Sequence, residues 1–553
     1  MLIAFALIGL NGMGQTPNWE WAKSAGGTGA DYINSISSDT SGYVYIAGYF
    51  SSPTMLIGTT VLTNIDNTGS SNDLFFARYN SDGNPIWAIS VGGTGHDYAT
   101  SIFVDSSGYI YLTGYFTSPT ITFGTTTLTN FMTDGTSDIF VAKYDTAGNF
   151  IWAKSAGGDR DDNATSVCTD AMGNVFVIGY YVSHTIAFGL DTFTSYTTRR
   201  IFLVKYNNLG NVIWASTPTY FADGNSYSHS VRTDVSGNIY VTGAIADAQT
   251  YFGSFTLYSP NGMGQMFLVK YNSIGTVMFA VQTGGDGITG RSITIDALGD
   301  VYVTGYFGSA NIWFGSYHLV NTQNGLLDVF IAKYSSLGVF LWARTGGGIS
   351  SDFGLSITTD TANNVYAAGY YRSPSMTFDS TTVFNAMGGV YDLFLTKYSS
   401  TGNFLWIKSV GGSLSEYATS ISSDHSGNIY VGGYYSSSTL LFDANSITNV
   451  GSNDMFLAKI GNTFTTSILE LSKNNSISVS PNPATNLLTI SFPANNIKSC
   501  TINLYDMMGE KMLDEIITHT SLYTINISTL PQGIYFMEVN MDNEKVVRKV
   551  VKM

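Results

Sequence analysis

The chain is 553 residues long and 44% hydrophobic, ample for a sizeable core, yet only 11% of it is charged, well below the roughly 25% of ordinary globular proteins. Its formal charge of −15 repels phosphate backbones and anionic headgroups, which argues against nucleic acid and membrane surfaces as partners. Two cysteines, Cys168 and Cys500, lie far apart in the chain, a usage that points away from a disulfide framework.

Leu2 to Leu10 is a short apolar run followed by small and polar residues through Gln15. It fits a signal peptide over residues 1–16 and is too short to span a bilayer. The basic residue that normally precedes such a run is missing, so the alternatives are a signal peptide whose start is a few residues late, and a buried strand. No other stretch is a transmembrane candidate.

From residue 17 to residue 460 the chain repeats. The stretch DSSGYIYLTGYF, Asp105 to Phe116, is one of seven copies led by Asp39, Asp105, Asp170, Asp234, Asp296, Asp360 and Asp424, at steps of 62 to 66 residues. A fixed period of this kind overrides any domain count taken from length. Three residues after each Asp stands Gly, or in one copy Asn363, the residue that best replaces Gly at positive φ. An Asp folding onto its own backbone, a left-handed residue and then Val/Ile-Tyr alternation predict a tight hairpin turn, so these Asp are turn formers.

Each unit divides into four strands by period-2 alternation. In the second unit they are strand A at 99–104, strand B at 109–116, strand C at 139–144 and strand D at 150–155. The chain opens on a D strand, Trp19 to Ser24, and closes on a C strand, Met455 to Ile460. The first strand must therefore complete the last unit, as in an all-β, seven-bladed β-propeller whose ring closure leaves no exposed edge. About 20 extra residues per unit between strands B and C, such as Ser118 to Asn130, predict an added hairpin.

The repeat resembles the secreted β-propeller repeat family through ATSIFVDSSGYIYLTGYF (Ala99 to Phe116), DIFVAKYDTAGNFIW (Asp138 to Trp152) and Gly157-Gly158. The resemblance implies the fold and says little about activity.

A polar linker, 461–475, separates the repeats from 476–553, which alternates like a small C-terminal β-sandwich. Here PNPATNLLTI (Pro481, Asn482, Pro483 to Ile490), LYDMMGE (Leu504, Asp506, Gly509, Glu510) and LPQGIY (Leu530, Pro531, Gly533, Tyr535) occur in order. They resemble the type A sorting domain of the type IX secretion system of Bacteroidota. The resemblance implies that residues 476–553 engage that machinery and direct export across the outer membrane, to the cell surface or the medium. Without it, the same residues read as a seven-strand sandwich with a carbohydrate-binding or adhesion role.

Variable loops on a rigid scaffold are where binding lives, and in a propeller the D-to-A loops and B-to-C inserts share the upper face. Eight residues before the turn Asp stand Asp31, Asp97, Asp162, Asp352 and Glu416, with Ser226 and Ile288 in the other two blades. These carboxylates are expected around the upper channel mouth, with His96 beside them, as a binding site. Ca²⁺, which takes six to eight oxygens, is the cofactor such a ring could hold; otherwise each carboxylate caps its own Gly-Gly loop. An aromatic pair follows the strand-B Gly in six blades, for example Tyr49-Phe50, whereas blade four has Ala244-Ile245. Recurrence favours inter-blade packing over sugar stacking. The seven equivalent serines (Ser35, Ser101, Ser166, Ser230, Ser292, Ser356, Ser420) are too many for a nucleophile, and the six histidines show no metal-ligand spacing. Catalytic residues are therefore not assigned. The residues point to an exported binding or scaffold module for an unidentified glycan or protein, with a glycan-active enzyme or a structural adhesin as alternatives.

Overall fold

The computed structural model describes residues 16–66, 68–195, 198–221, 224–323, 325–461, 477–492, 500–506, 510–518, 522–541 and 544–553, with backbone alone over 541–547. The signal-peptide segment, most of the linker and Gly509 lie outside these residues. By contact density the chain divides into two compact units, split between Phe464 and Thr465.

The first unit is a seven-bladed β-propeller. Its innermost strands are Asp31–Ser38, Asp97–Val104, Asp162–Thr169, Tyr227–Thr233, Ile288–Ile295, Asp352–Thr359 and Glu416–Ser423. Each touches the next, and the seventh touches the first. Six blades are four-stranded antiparallel sheets; in the fifth, the outer strand Phe340–Gly347 runs on into the hairpin of the sixth blade. The ring closes as expected: Trp19–Ala25 pairs antiparallel with Asp454–Ile460, from Trp19 opposite Ile460 to Ala25 opposite Met455. Every B-to-C insert contains a two-stranded hairpin, Thr120–Phe123 with Thr126–Thr129 in the second blade.

Local chemistry explains the repeat motif. Asp105 Oδ1 accepts the backbone N–H groups of Ser107 and Tyr109, both at 2.9 Å, and the other six turn Asp repeat the pattern. Gly108 sits at φ 85° and its one non-glycine counterpart, Asn363, at φ 61°, the left-handed conformation the substitution predicts. Strand A carries a bulge in every blade, as between Ile33 and Ser35. The bulge pushes a carbonyl onto the recurring strand-B glycine: a Cβ on Gly48 would lie 1.8 Å from Tyr32 O, so no side chain fits there.

The core is divided among the seams between blades. One apolar cluster joins Tyr45, Leu74 and Phe76 of the first blade to Ile102, Leu112 and Phe116 of the second, and each other seam has its own. The strand-D tryptophans fasten the outer edge: Trp87 Nε1 donates to Thr146 O of the next blade at 3.1 Å, and Trp21, Trp152 and Trp342 do likewise.

The second unit has a three-stranded and a four-stranded sheet around a core of Leu488, Ile490, Leu504, Tyr535 and Met537. Cys168 and Cys500 are both free and buried, one in each unit.

Candidate functional site

Strand A alternates, so its first residue points into a seam and its second toward the channel. Asp31, Asp97, Asp162, Asp352 and Glu416 occupy the first position and are fully buried. They do not form the open ring expected of them. Asp31 Oδ2 accepts the Gly27 N–H at 2.6 Å and the Ser52 hydroxyl at 2.8 Å, and Asp97, Asp162, Asp352 and Glu416 take Ser118, Ser183, Ser373 and Ser437 in the same way. Burial pushes Asp31 and Asp352 up to about 6 and Asp97, Asp162 and Glu416 up to about 7. Across each seam lies a second buried carboxylate, such as Asp73 opposite Asp97, itself raised to about 6 by burial. Among the described residues no three His, Cys, Asp or Glu converge as metal ligands. His96 is exposed on a D-to-A loop, its Nδ1 3.3 Å from Asn72 Nδ2.

Blade four keeps this device in reversed form. Ser226 stands where five blades have the acid and Asp247 where the other six have Ser, and Ser226 Oγ donates to Asp247 Oδ2 at 2.5 Å. The same carboxylate accepts Arg200 from the third blade. The exchange is visible in the sequence four residues after the strand-B Gly, once Ser52 is known to be the partner of Asp31.

The channel mouth is lined instead by the second residue of strand A and the first of the aromatic pair. Nine rings follow one another without a gap: Tyr115, Tyr98, Tyr49, Tyr32, Tyr434, Tyr417, Tyr370, Phe353 and Tyr306, with successive centroids 4.4–5.1 Å apart. Edge-on and tilted contacts of this kind stabilise beyond area alone. The second residue of each pair, such as Phe50 and Tyr435, is fully buried. Inter-blade packing thus accounts for both positions.

The girdle breaks at the third blade, where Asn163 takes a ring position, and more widely between the fourth and fifth blades. Ala244 stands where six blades have Tyr, and Thr289 where four blades have Tyr and one Phe. The missing rings leave a cavity of about 660 Å³ lined by Tyr227, His229, Ala244, Thr289, Arg291 and Tyr306, with Asn225 and the Gly262–Gly264 stretch of the blade-four insert at its edge. Its volume falls within the roughly 300–1,000 Å³ of small-ligand sites. Arg291 Nη1 lies 3.3 Å from His229 Nδ1, and burial, followed by the Arg291 charge, holds His229 well below the ordinary histidine range. Neutral His229 therefore offers a lone pair to the guanidinium. At this bulge position the other blades carry Asn34, Thr100, Thr165, Leu355 and Thr419, of which four donate to a carbonyl of the neighbouring blade. His229 and Arg291 were legible as departures from the repeat; their meeting was not.

Two other clefts, of about 560 and 400 Å³, occupy equivalent places on the outer rim between one B-to-C hairpin and the next. They follow from blade geometry and bring together no comparable set of groups.

In the second unit the motif residues are structural ties. Asn482 Oδ1 accepts the Val551 N–H at 2.8 Å, and its Nδ2 donates to Lys549 O, clasping the exposed Pro481–Pro483 turn to the last strand. Asp506 Oδ1 accepts the Glu510 N–H at 2.8 Å, Tyr535 donates to Pro531 O at 2.8 Å, Leu504 is buried and Leu530 packs on the same core. Gly533 opens the strand Gly533–Met541.

Fold and site together define a β-propeller followed by a smaller C-terminal β unit. Residues 478–553 match the family model of the secretion system C-terminal sorting domain, which directs the protein through type IX secretion to the extracellular or cell-surface space. Among curated proteins the chain is similar to an uncharacterized WD repeat-containing protein, L264, of Acanthamoeba polyphaga mimivirus, at 24% identity over 70% of this chain and 34% of that protein. It is also similar to the regulatory protein FlaEY of Caulobacter vibrioides, at 27% identity over 31% of this chain and 19% of that protein. The chain thus spans about a third or less of the length of these relatives. Among solved structures, Sqt1 from Chaetomium thermophilum aligns at 9% identity and a TM-score of 0.37, covering 81% of this chain and 100% of that one. Among the described residues no helix is long and apolar enough to cross a membrane.

Proposed function

We propose that the protein is a secreted binding module whose ligand enters the upper mouth between the fourth and fifth blades. One observation carries this reading: the aromatic girdle opens into a cavity at the one seam where two mouth rings are replaced by Ala244 and Thr289. A rigid ring that loses two adjacent rings at one seam is how a repeat scaffold acquires a site while keeping its packing. The repeats are read as members of the secreted β-propeller repeat family, and residues 1–16 as the signal peptide that precedes type IX export.

Binding is favoured over glycan cleavage because no carboxylate is among the described residues of the lining, whereas glycosidases typically use a pair of them. The buried acids are each engaged beneath a Gly-Gly loop. The test is an array of glycans and surface proteins probed with the full chain and with Ala244→Tyr, which restores the ring six other blades carry. Spots retained by the parent and lost with the variant are expected. Identical patterns would return the propeller to a structural adhesin.

A further inference from the structure

The cavity's polar groups have a definite chemical bias. Of the two cations on the seven innermost strands, Arg232 and Arg291, Arg291 is the one that lines the cavity, and no carboxylate is among the described residues lining it. The nearby rim carboxylate, Asp286, is engaged by Asn261 Nδ2 at 2.9 Å. His229, the neighbour that contacts Arg291, is neutral and so leaves its charge uncompensated. The other ionisable side chains facing the space are the phenols of Tyr227 and Tyr306, and Arg199 lies behind Tyr227, its Nη1 donating to that hydroxyl at 2.6 Å. Thus two guanidinium groups flank one wall of the mouth in a chain whose net charge is −15. A planar guanidinium with free donors binds carboxylates in a two-point geometry.

The remaining lining specifies what carries that carboxylate. Tyr227 and Tyr306 present ring faces or edges on either side of the gap, Thr289 supplies a hydroxyl, Asn225 an amide, and the Gly262–Gly264 stretch a slim edge. Ring surface alternating with short hydroxyl and amide groups suits a polyhydroxylated ring.

Resting on the pocket reading above, we infer that this site binds a carboxylate-bearing sugar, of the uronic acid class, with the carboxylate on Arg291 and the sugar ring between Tyr227 and Tyr306. Arg291 sets the preference for acid over neutral sugar, and the space left by Ala244 and Thr289 sets whether any sugar enters.

The experiment titrates the full chain with galacturonate, glucuronate, galactose, glucose and a penta-aspartate peptide, following binding by calorimetry and ligand-observed NMR. The uronates are expected to bind at least tenfold tighter than their neutral counterparts. Arg291→Gln should abolish that margin while leaving weak binding of the neutral sugars, and Ala244→Tyr should remove binding of all sugars. Thr289→Tyr serves as a second blocking variant, and an unchanged melting curve establishes that each variant is folded. Sugar binding indifferent to both blocking variants overturns the pocket reading. Binding that both variants block, with no acid preference or no effect of Arg291→Gln, overturns only the acidic-sugar assignment. Capture of the peptide with no response to either uronate likewise overturns the sugar class and leaves a peptide-binding pocket, and no binding of any probe overturns the assignment.

Discussion

The backbone N–H of Ile36 donates to the Ser420 hydroxyl at 3.0 Å, joining the first blade to the last. The same bond recurs at every seam, at 3.1–3.3 Å: Ser35 to Ile102, Ser101 to Val167, Ser166 to Val231, Ser230 to Ile293, Ser292 to Ile357 and Ser356 to Ile421. Seven hydroxyls thus satisfy seven N–H groups on the innermost strands, which end each sheet and have no further strand beside them, and this is the reason a serine recurs there. Ser420→Ala leaves the Ile36 N–H without its acceptor, an expected loss of about 1–3 kcal/mol in chemical denaturation. A loss no larger than that of the exposed control Ser41→Ala would show that the ring is not held this way.

Trp19 is buried beside Phe442, their centroids 5.1 Å apart at 86°, so it anchors the strand that closes the propeller. Trp19→Ala should destabilise the first unit by about 3–5 kcal/mol, the usual range for emptying a large aromatic site. Because that strand also covers the edge of Asp454–Ile460, the variant should aggregate more readily. A change in unfolding free energy below about 1 kcal/mol, outside that range, would mean that the closure is dispensable.

Ten buried carboxylates face one another in pairs across five seams: Asp454 with Asp31, Asp73 with Asp97, Asp138 with Asp162, Asp328 with Asp352, and Asp392 with Glu416. All are raised to about 6 or 7, chiefly by burial. Between their unfolded values near 4 and these folded values the native state binds more protons, so stability falls as pH rises. Their stabilisation is complete below the unfolded values and lost as pH rises through 6 to 7. His229, held low, opposes this with a single proton as pH drops below its unfolded value near 6.5. The melting temperature should therefore be higher at pH 5 than at pH 8, and a flat or rising profile over that interval would refute the protonated pairing.

Calcium at Asp31, Asp97, Asp162, Asp352 and Glu416 makes a different prediction from capping. A bound ion that favours the native state would be lost to chelator with a fall in melting temperature. Because each carboxylate already accepts hydrogen bonds from its own loop or Ser, EDTA is expected to leave the melting curve unchanged and metal analysis to find less than one equivalent. A chelator-sensitive melt with stoichiometric calcium would restore the metal ring.

Deleting residues 476–553 should leave the melting transition of the propeller intact, since its core clusters and ring closure lie wholly within the first unit. The truncated protein should accumulate in the periplasm of a host with type IX secretion. Cell fractionation decides it. Delivery to the surface or medium at the parental level would make the C-terminal unit a binding domain.

The repeat length, the turn Asp with its left-handed partner and the D strand at the start and C strand at the end are local or periodic features. They determined the blade number and the closure from the sequence alone. The sorting unit was equally legible through its motifs, because Asn482, Asp506 and Tyr535 act over short turns or fixed register. What tertiary structure decided was direction. Asp31 goes under its loop and Tyr32 joins the rings at the channel, whereas repeat position alone had placed the acids at the mouth. The Ser ring and the Asp247–Arg200 pair depend on contacts between blades about 47 to 384 residues apart. The pocket is likewise a property of two blades: neither Ala244 nor Thr289 opens it alone, and only the closed ring sets both beside His229 and Arg291.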